Sequence, residues 1–439
     1  MTCFENLITV KRRLIWIIVL SLLIITVALA SVIPTITKMT KSTIKEATTY
    51  QSTEVTSMIT EQFTTDAEQS TIDTDQSTTV VPTKKSMKSK MSYKLILKFY
   101  YIDLDWSIVG EISSGRHSHA AAILLDGSIL ICGGLSEDKI LKTAFIYNPS
   151  RDSSKSTKTM KTKQTRHTLS ILANGTILAI AGSSDNHDSL NTVELYDSSM
   201  GSWMATKSLK YKRSGHTTSV LNNGELLVVG GEDFYICLVS AELYKSGLNK
   251  WVRTGSLNNG REMFTSSILK DGNVLITGGN GQGEEILAST ELYNITTGKW
   301  SIVGNLIIAR HYHTATVLRN GKVLVTGGMY NRKYLNNAEL YDPTTRMWSL
   351  TGSMNIPRSS HTASLLRNGK VLVVGGVSGT TPTNTTELYD PLTGTWENIG
   401  SLSSPRVGHT ASVLANGSVL IIGGYDTKKN VNSIELYSP

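Results

Sequence analysis

Residues 361–396 read HTASLLRNGKVLVVGGVSGTTPTNTTELYDPLTGTW, and each part of that stretch recurs along the chain. The paired glycines Gly375-Gly376 have counterparts at Gly133-Gly134, Ala181-Gly182, Gly230-Gly231, Gly278-Gly279, Gly327-Gly328 and Gly423-Gly424, spaced by 48 or 49 residues. Repetition at this period marks a solenoid or a propeller. Before each pair, between two apolar runs, stands Asp126-Gly127, Asn174-Gly175, Asn223-Gly224, Asp271-Gly272, Asn320-Gly321, Asn368-Gly369 or Asn416-Gly417. Such dipeptides predict tight hairpins with type I′ turns.

After the glycines comes a polar stretch and then Glu-Leu-Tyr, with Glu at 194, 242, 291, 339, 387 and 435 and Phe145 in the first copy. Seven residues after the Tyr lies Trp203, Trp251, Trp300, Trp348 or Trp396. Each repeat therefore supplies four short strands, a to d, which is one propeller blade. The last copy stops at Tyr437 without a Trp strand, while an orphan Trp106 precedes the first copy. The N-terminal strand is expected to complete the last of seven blades, removing exposed sheet edges.

Gly-Gly followed by Glu-Leu-Tyr and Trp at this period resembles the kelch repeat family over residues 100–439. The resemblance implies an all-β, seven-bladed kelch-type propeller. Similar propellers commonly bind protein partners. A second implication is the copper-radical oxidase of the galactose oxidase type, whose catalytic domain is also kelch-like. That chemistry needs a Tyr crosslinked to Cys beside two His ligands. Here Cys132 falls in strand b of the first blade, and Cys237, in a loop of the third, has no evident His pair.

The chain has 439 residues and a net charge of +8. The propeller region is near neutral and has no Lys/Arg stripe with interleaved aromatics, so nucleic acid is not an expected partner. Residues 14–33, Leu14 to Ile33, are uncharged and apolar and follow Lys11-Arg12-Arg13. That length spans a bilayer, with residues 1–13 as a short cytoplasmic tail. The competing reading is a cleaved signal peptide, because Ala28-Leu29-Ala30 fits a cleavage pattern. Under the first the protein is a single-pass membrane protein with an extracellular propeller; under the second it is secreted. Residues 34–99, with 23 Ser or Thr among positions 35–89, read as a disordered stalk. Of four Asn-x-Ser/Thr sequons, Asn174 and Asn416 fall in the tight hairpins, leaving Asn294 and Asn384 as the N-glycosylation candidates.

Antiparallel alternation puts the b–c and d–a connections on one face of a propeller. All length variation falls in the b–c loops, and variable loops on a rigid scaffold are where recognition is usually carried. Phe234 and Tyr235 in the third blade, with Tyr330, Arg332 and Tyr334 in the fifth, are the candidate binding residues, since aromatics and Arg dominate interface energetics.

Six arginines, Arg116, Arg213, Arg261, Arg310, Arg358 and Arg406, recur near the same face. Each of the last five lies 19 residues after a Glu of Glu-Leu-Tyr, and where Phe145 replaces Glu the corresponding position is Gln164. This predicts structural ion pairs such as Glu194 with Arg213 and Glu387 with Arg406, leaving Arg116 for Glu435. Histidines at 119, 167, 216, 313, 361 and 409 head strand a, with Phe264 in the fourth copy. Six equivalent copies around a ring cannot converge on one ion, so they are read as structural, each bonding a neighbouring backbone group. Neither His311 with His313 nor Asp185, His187 and Asp188 signposts a full ligand set, and no metal or cofactor is expected.

The sequence thus points to a non-enzymatic extracellular module binding an unidentified protein or glycan. The alternatives are an extracellular enzyme of copper-radical or glycan-processing type, and a structural surface protein without a specific ligand.

Overall fold

The computed structural model describes residues 106–185 and 188–439. Expectations for the tail at 1–13, the apolar run at 14–33, the stalk at 34–99 and His187 lie outside these residues. Among the described residues no helix is long and apolar enough to cross a membrane.

The described chain forms seven four-stranded antiparallel sheets, the blades. Blade 6 is typical, with strands a to d at Thr362–Leu365, Val371–Val374, Thr385–Asp390 and Thr395–Ser401. Strand b is apolar throughout because neighbouring blades cover both of its faces, and Val371–Val374 is fully buried. Core clusters accordingly span blade boundaries: Leu324 and Ala338 of blade 5 pack with Val371 and Tyr389 of blade 6.

Blade 7 takes strands a to c from Thr410–Val413, Val419–Ile422 and Ser433–Tyr437, and its outer strand is Trp106–Glu111. In that pairing Trp106 lies opposite Tyr437, as Trp396 lies opposite Tyr389 in blade 6. The Trp106 and Tyr437 ring centroids are 5.3 Å apart, and the Trp106 indole N–H donates to Thr386 Oγ1 of blade 6 at 3.2 Å. One strand thus closes the ring and ties it to the neighbouring blade.

The a–b hairpins differ from the expected type I′ turns. Leu366 N donates to the Lys370 carbonyl at 2.8 Å and Gly369 N to the Leu366 carbonyl at 3.0 Å, while only Gly369 (φ 87°) is left-handed. This is a type I turn followed by a glycine bulge. Asn368 serves it otherwise, its Oδ1 accepting from Lys370 N at 3.0 Å. After strand b, Gly376 has φ 91°, and a Cβ there would sit 2.5 Å from the Ser359 carbonyl. The repeated Gly-Gly therefore answers both a backbone angle and a close approach.

Candidate recognition face

The b–c loops stand on a repeated polar fastener. In blade 6, Arg358 Nη1 donates to the carbonyls of Gly375 at 2.9 Å and Thr385 at 3.0 Å, the two ends of the loop. Its Nη2 donates to Glu387 Oε1 at 2.8 Å, and both side chains are completely buried. Glu387 also accepts from Asn355 N at 2.6 Å and Ile356 N at 3.1 Å, in the d–a connection. Each fastener so joins loop, strand c and d–a connection, satisfying charges that would otherwise be costly to bury.

The pairing corrects the sequence expectation. Arg213 pairs with Glu242 at 3.1 Å, Arg261 with Glu291 at 2.8 Å, Arg310 with Glu339 at 2.6 Å, and Arg406 with Glu435. Each Arg thus finds the Glu of its own blade, not the Glu 19 residues before it, and Arg116 does not take Glu435. The exceptions therefore fall in two different blades. In blade 1, Arg116 donates to the Gly133 carbonyl at 2.9 Å and lies 4.6 Å from the Phe145 ring centroid. Burial lowers its pKa to about 10, which leaves it charged at neutral pH, over an aromatic face. In blade 2, Glu194 accepts from Lys161 N at 2.7 Å and Thr162 N at 2.8 Å, while buried Gln164 bonds Met160 Sδ at 3.2 Å.

The recurrent histidines bond side chains of the preceding blade, not the backbone groups expected. His361 Nε2 lies 3.0 Å from Thr314 Oγ1 and 3.1 Å from Thr326 Oγ1; His409 Nε2 lies 3.0 Å from Thr362 Oγ1. Phe264 cannot make this bond, and the buried Thr217 hydroxyl of blade 3 has no partner. Ala120 offers His167 no hydroxyl, so His167 Nε2 meets Cys132 Sγ at 3.3 Å instead. Burial raises the Cys132 thiol far above its ordinary range and drops His167 to about 3, so the pair is neutral and solvent-inaccessible. It is a packing contact, not an activated nucleophile.

A copper-radical centre does not fit these residues. Cys132 is committed to His167, Cys237 Sγ faces the Asn280 carbonyl at 3.6 Å, and no group of three or more His, Cys, Asp or Glu among the described residues could hold a metal ion.

Around the channel mouth runs a ring that the sequence analysis missed. The residue before each His or Phe, namely Ser118, Arg166, Gly215, Met263, Tyr312, Ser360 and Gly408, is left-handed in every blade, with φ between 50° and 66°. Backbone bonds pass from blade to blade along it: Ser118 N to the Gly408 carbonyl at 2.8 Å, Tyr312 N to Met263 at 3.2 Å, and Ser360 N to Tyr312 at 2.9 Å. The backbone is repeated but the side chains are not. The signal was present as a variable column inside a connection of constant length.

Outside that ring stand the b–c loops, four of which form two-stranded hairpins. In blade 3, Glu232–Asp233 pairs with Ile236–Cys237, leaving Phe234 and Tyr235 as the tip. Their rings meet edge to face at 5.7 Å and are 77% and 81% exposed. In blade 5, Met329–Tyr330 pairs with Lys333–Tyr334; Tyr330 and Arg332 are exposed and Tyr334 is half-buried. The aromatic pairs therefore sit on the same face, two blades apart. Beneath the blade 3 hairpin, burial raises the Glu262 carboxyl, and the neighbouring Glu232 charge adds to the rise.

The two sequons differ in availability. Asn294 is exposed in a c–d turn, where its Oδ1 accepts from Thr296 N at 3.0 Å. Asn384 is half-buried, and the nitrogen a glycan would occupy donates to the Leu402 carbonyl at 3.1 Å.

A family model described as the KLHDC2/KLHL20/DRC7 Kelch-repeats domain matches residues 264–439. No curated protein matches the chain. A solved structure described as a novel fungal alcohol oxidase with catalytic diversity among the AA5 family, in complex with copper, aligns with a TM-score of 0.63 at 18% identity, covering 75% of each chain. At that identity the likeness is one of fold, and a shared fold does not choose a function. A ring built seven times from one motif, closed by the strand of Trp106 and matched over its last blades by that family model, makes the chain a member of the kelch-repeat β-propeller family.

Proposed function

We infer that this chain is a non-enzymatic recognition module that binds a protein partner through the face carrying the b–c and d–a connections. The observation behind this reading is the contrast between fixed and varied parts: buried Arg–Glu fasteners hold the loops in place, while the loops themselves carry unlike side chains. Phe234 and Tyr235 stand in solvent at a hairpin tip, where aromatic side chains are costly unless covered by a partner. A kelch propeller supports a protein-binding role; a glycan would use the same face. The apolar run at 14–33 supports holding the propeller outside the cell on the Ser/Thr-rich segment.

The test is saturable binding of the full-length chain to an array of extracellular proteins and a glycan panel. It is run beside a variant with Phe234, Tyr235, Tyr330 and Tyr334 changed to Ala and a second, Leu125→Ser, at an exposed a–b turn on the opposite face. Loss in the first variant alone supports the reading. Loss in the second alone moves the site to the other face.

A further inference from the structure

The b–c loops of blades 3 and 4 are chemically one-sided. Residues 231–240 and 279–288 contain Glu232, Asp233, Glu284 and Glu285 and no Lys or Arg. Glu262 lies between them in sequence and bridges to Asn280 at the start of the blade 4 loop. One of its carboxylate oxygens is buried without a hydrogen-bond partner. Ser214 Oγ donates to Glu232 Oε1 at 3.4 Å, so Glu232 is held at the base of the hairpin whose tip is Phe234 and Tyr235. Across the mouth, the Arg166 charge pulls the Glu262 pKa back down without removing its rise.

The two loops are also stitched together. Gln282 of blade 4 accepts from Cys237 N through Oε1 at 3.0 Å and donates from Nε2 to the Tyr235 carbonyl at 3.2 Å. The aromatic tip is therefore held rigidly over an acidic floor before any partner arrives, which limits the ordering cost of binding.

We propose that the sector formed by the b–c loops of blades 3 and 4 docks a basic segment of a protein partner, its Lys or Arg side chains meeting Glu232 and Glu262 while Phe234 and Tyr235 pack over it. Charge complementarity selects this occupant: carboxylates without neighbouring cations attract a basic chain and repel an acidic one. Exposed aromatic faces add attraction for the same cations. The proposal rests on the recognition reading above and names the partner's chemistry.

The test uses the immobilised full-length chain and three synthetic peptide pools of one length and background, differing only in fixed positions that carry Lys/Arg, Gln or Glu. The basic pool is expected to be retained roughly tenfold or more over the Glu pool at low ionic strength, with retention falling as salt rises. Glu232→Gln with Glu262→Gln, and separately Phe234→Ala with Tyr235→Ala, should each cut that retention by roughly tenfold; Leu125→Ser should not. Equal or better retention of the Gln or Glu pool, or no retention of the basic pool, overturns the proposal. If a non-basic pool binds and is lost in the Phe234/Tyr235 variant, the face stands and only the chemistry fails. If only Leu125→Ser weakens binding, both readings fail.

Discussion

Gln282 holds Tyr235 in a conformation that tyrosine ordinarily avoids. The side-chain amide donates to the Tyr235 carbonyl at 3.2 Å while Tyr235 has φ 66° and Phe234 has φ 48°. Two consecutive left-handed residues are what a type I′ turn requires, and Asn-Gly or Asp-Gly normally supplies them. The blade 5 tip uses Asn331-Arg332 and the blade 1 tip Glu137-Asp138. Bulky aromatic residues in this region carry strain that persists only where the surroundings enforce it.

Relief of that strain is measurable. Phe234→Asn with Tyr235→Gly should stabilise the propeller by about 1–2 kcal/mol, because exposed rings lose little packing and each L-residue in the left-handed region costs about that much. Chemical denaturation of the two proteins checks it. A variant that is less stable would show that the rings are packed for their own loop.

Trp106 should matter far more than its position at the edge of the ordered chain suggests. It is 7% exposed and contacts both Tyr437 and Thr386. Trp106→Ala should cost about 3–5 kcal/mol, the usual result of removing a buried aromatic. It should also open the strand pair joining residues 106–111 to 433–437, seen as loss of hydrogen-exchange protection in both segments. Unchanged protection would mean that the ring closes without this strand.

The fasteners make opposite predictions in different blades. Glu339→Ala should cost about 3–5 kcal/mol, since it strands the wholly buried Arg310 charge. Gln164→Arg should instead stabilise blade 2 by about 1–3 kcal/mol, supplying Glu194 with a charged donor and removing a Gln164 oxygen that is buried without a partner. Urea midpoints measure both. A destabilised Gln164→Arg protein would show that blade 2 has repacked around the smaller side chain.

Acid should weaken the protein in a window set by the buried histidines. Burial lowers His167, His313 and His409 to about 3 and holds His119, His216 and His361 well below the ordinary value. Unfolded histidines titrate near about 6.5. As pH falls below that, the unfolded chain gains protons that the folded chain does not accept. Stability is therefore complete above the unfolded value and declines below it, by about 1.4 kcal/mol per pH unit for each histidine. Comparing unfolding at pH 6.5 and pH 5 should show this, and His361→Phe should flatten the slope by about one proton. The Phe264 position shows that the site accepts an aromatic ring. An unchanged slope would mean that His361 protonates within the fold.

The repeat made the fold readable before any coordinates. Gly-Gly, Glu-Leu-Tyr and Trp fixed four strands per blade, and the orphan Trp106 identified the closing strand because Tyr437 lacked a partner of its own. The a–b turns were placed correctly but assigned the wrong type, since Asn-Gly serves both a type I′ turn and a glycine bulge, and only φ at the Asn separates them. Pairing was harder still. Every Arg has a Glu both before and after it at constant spacing, so spacing alone could not tell the neighbouring blade from its own. The loops were legible as the variable part of the chain, and Phe234 and Tyr235 as candidates. Their strain, their attachment to Gln282 and the acidic floor formed by Glu232 and Glu262 depend on contacts between blades, which no local pattern records. The channel-mouth ring was hidden for another reason: its residues share a backbone conformation that Ser, Arg, Met and Tyr do not advertise.

The most direct test of the recognition face is photo-crosslinking from two single positions of the full-length chain, with benzoylphenylalanine replacing Tyr235 in one protein and Leu125 in the other. Exposed to the same extracellular proteins, the chain labelled at position 235 should give a discrete adduct that is competed by unlabelled chain, and the chain labelled at 125 should not. Adducts from position 125 alone, or equal non-competable labelling from both, would contradict the assignment of recognition to the b–c and d–a face.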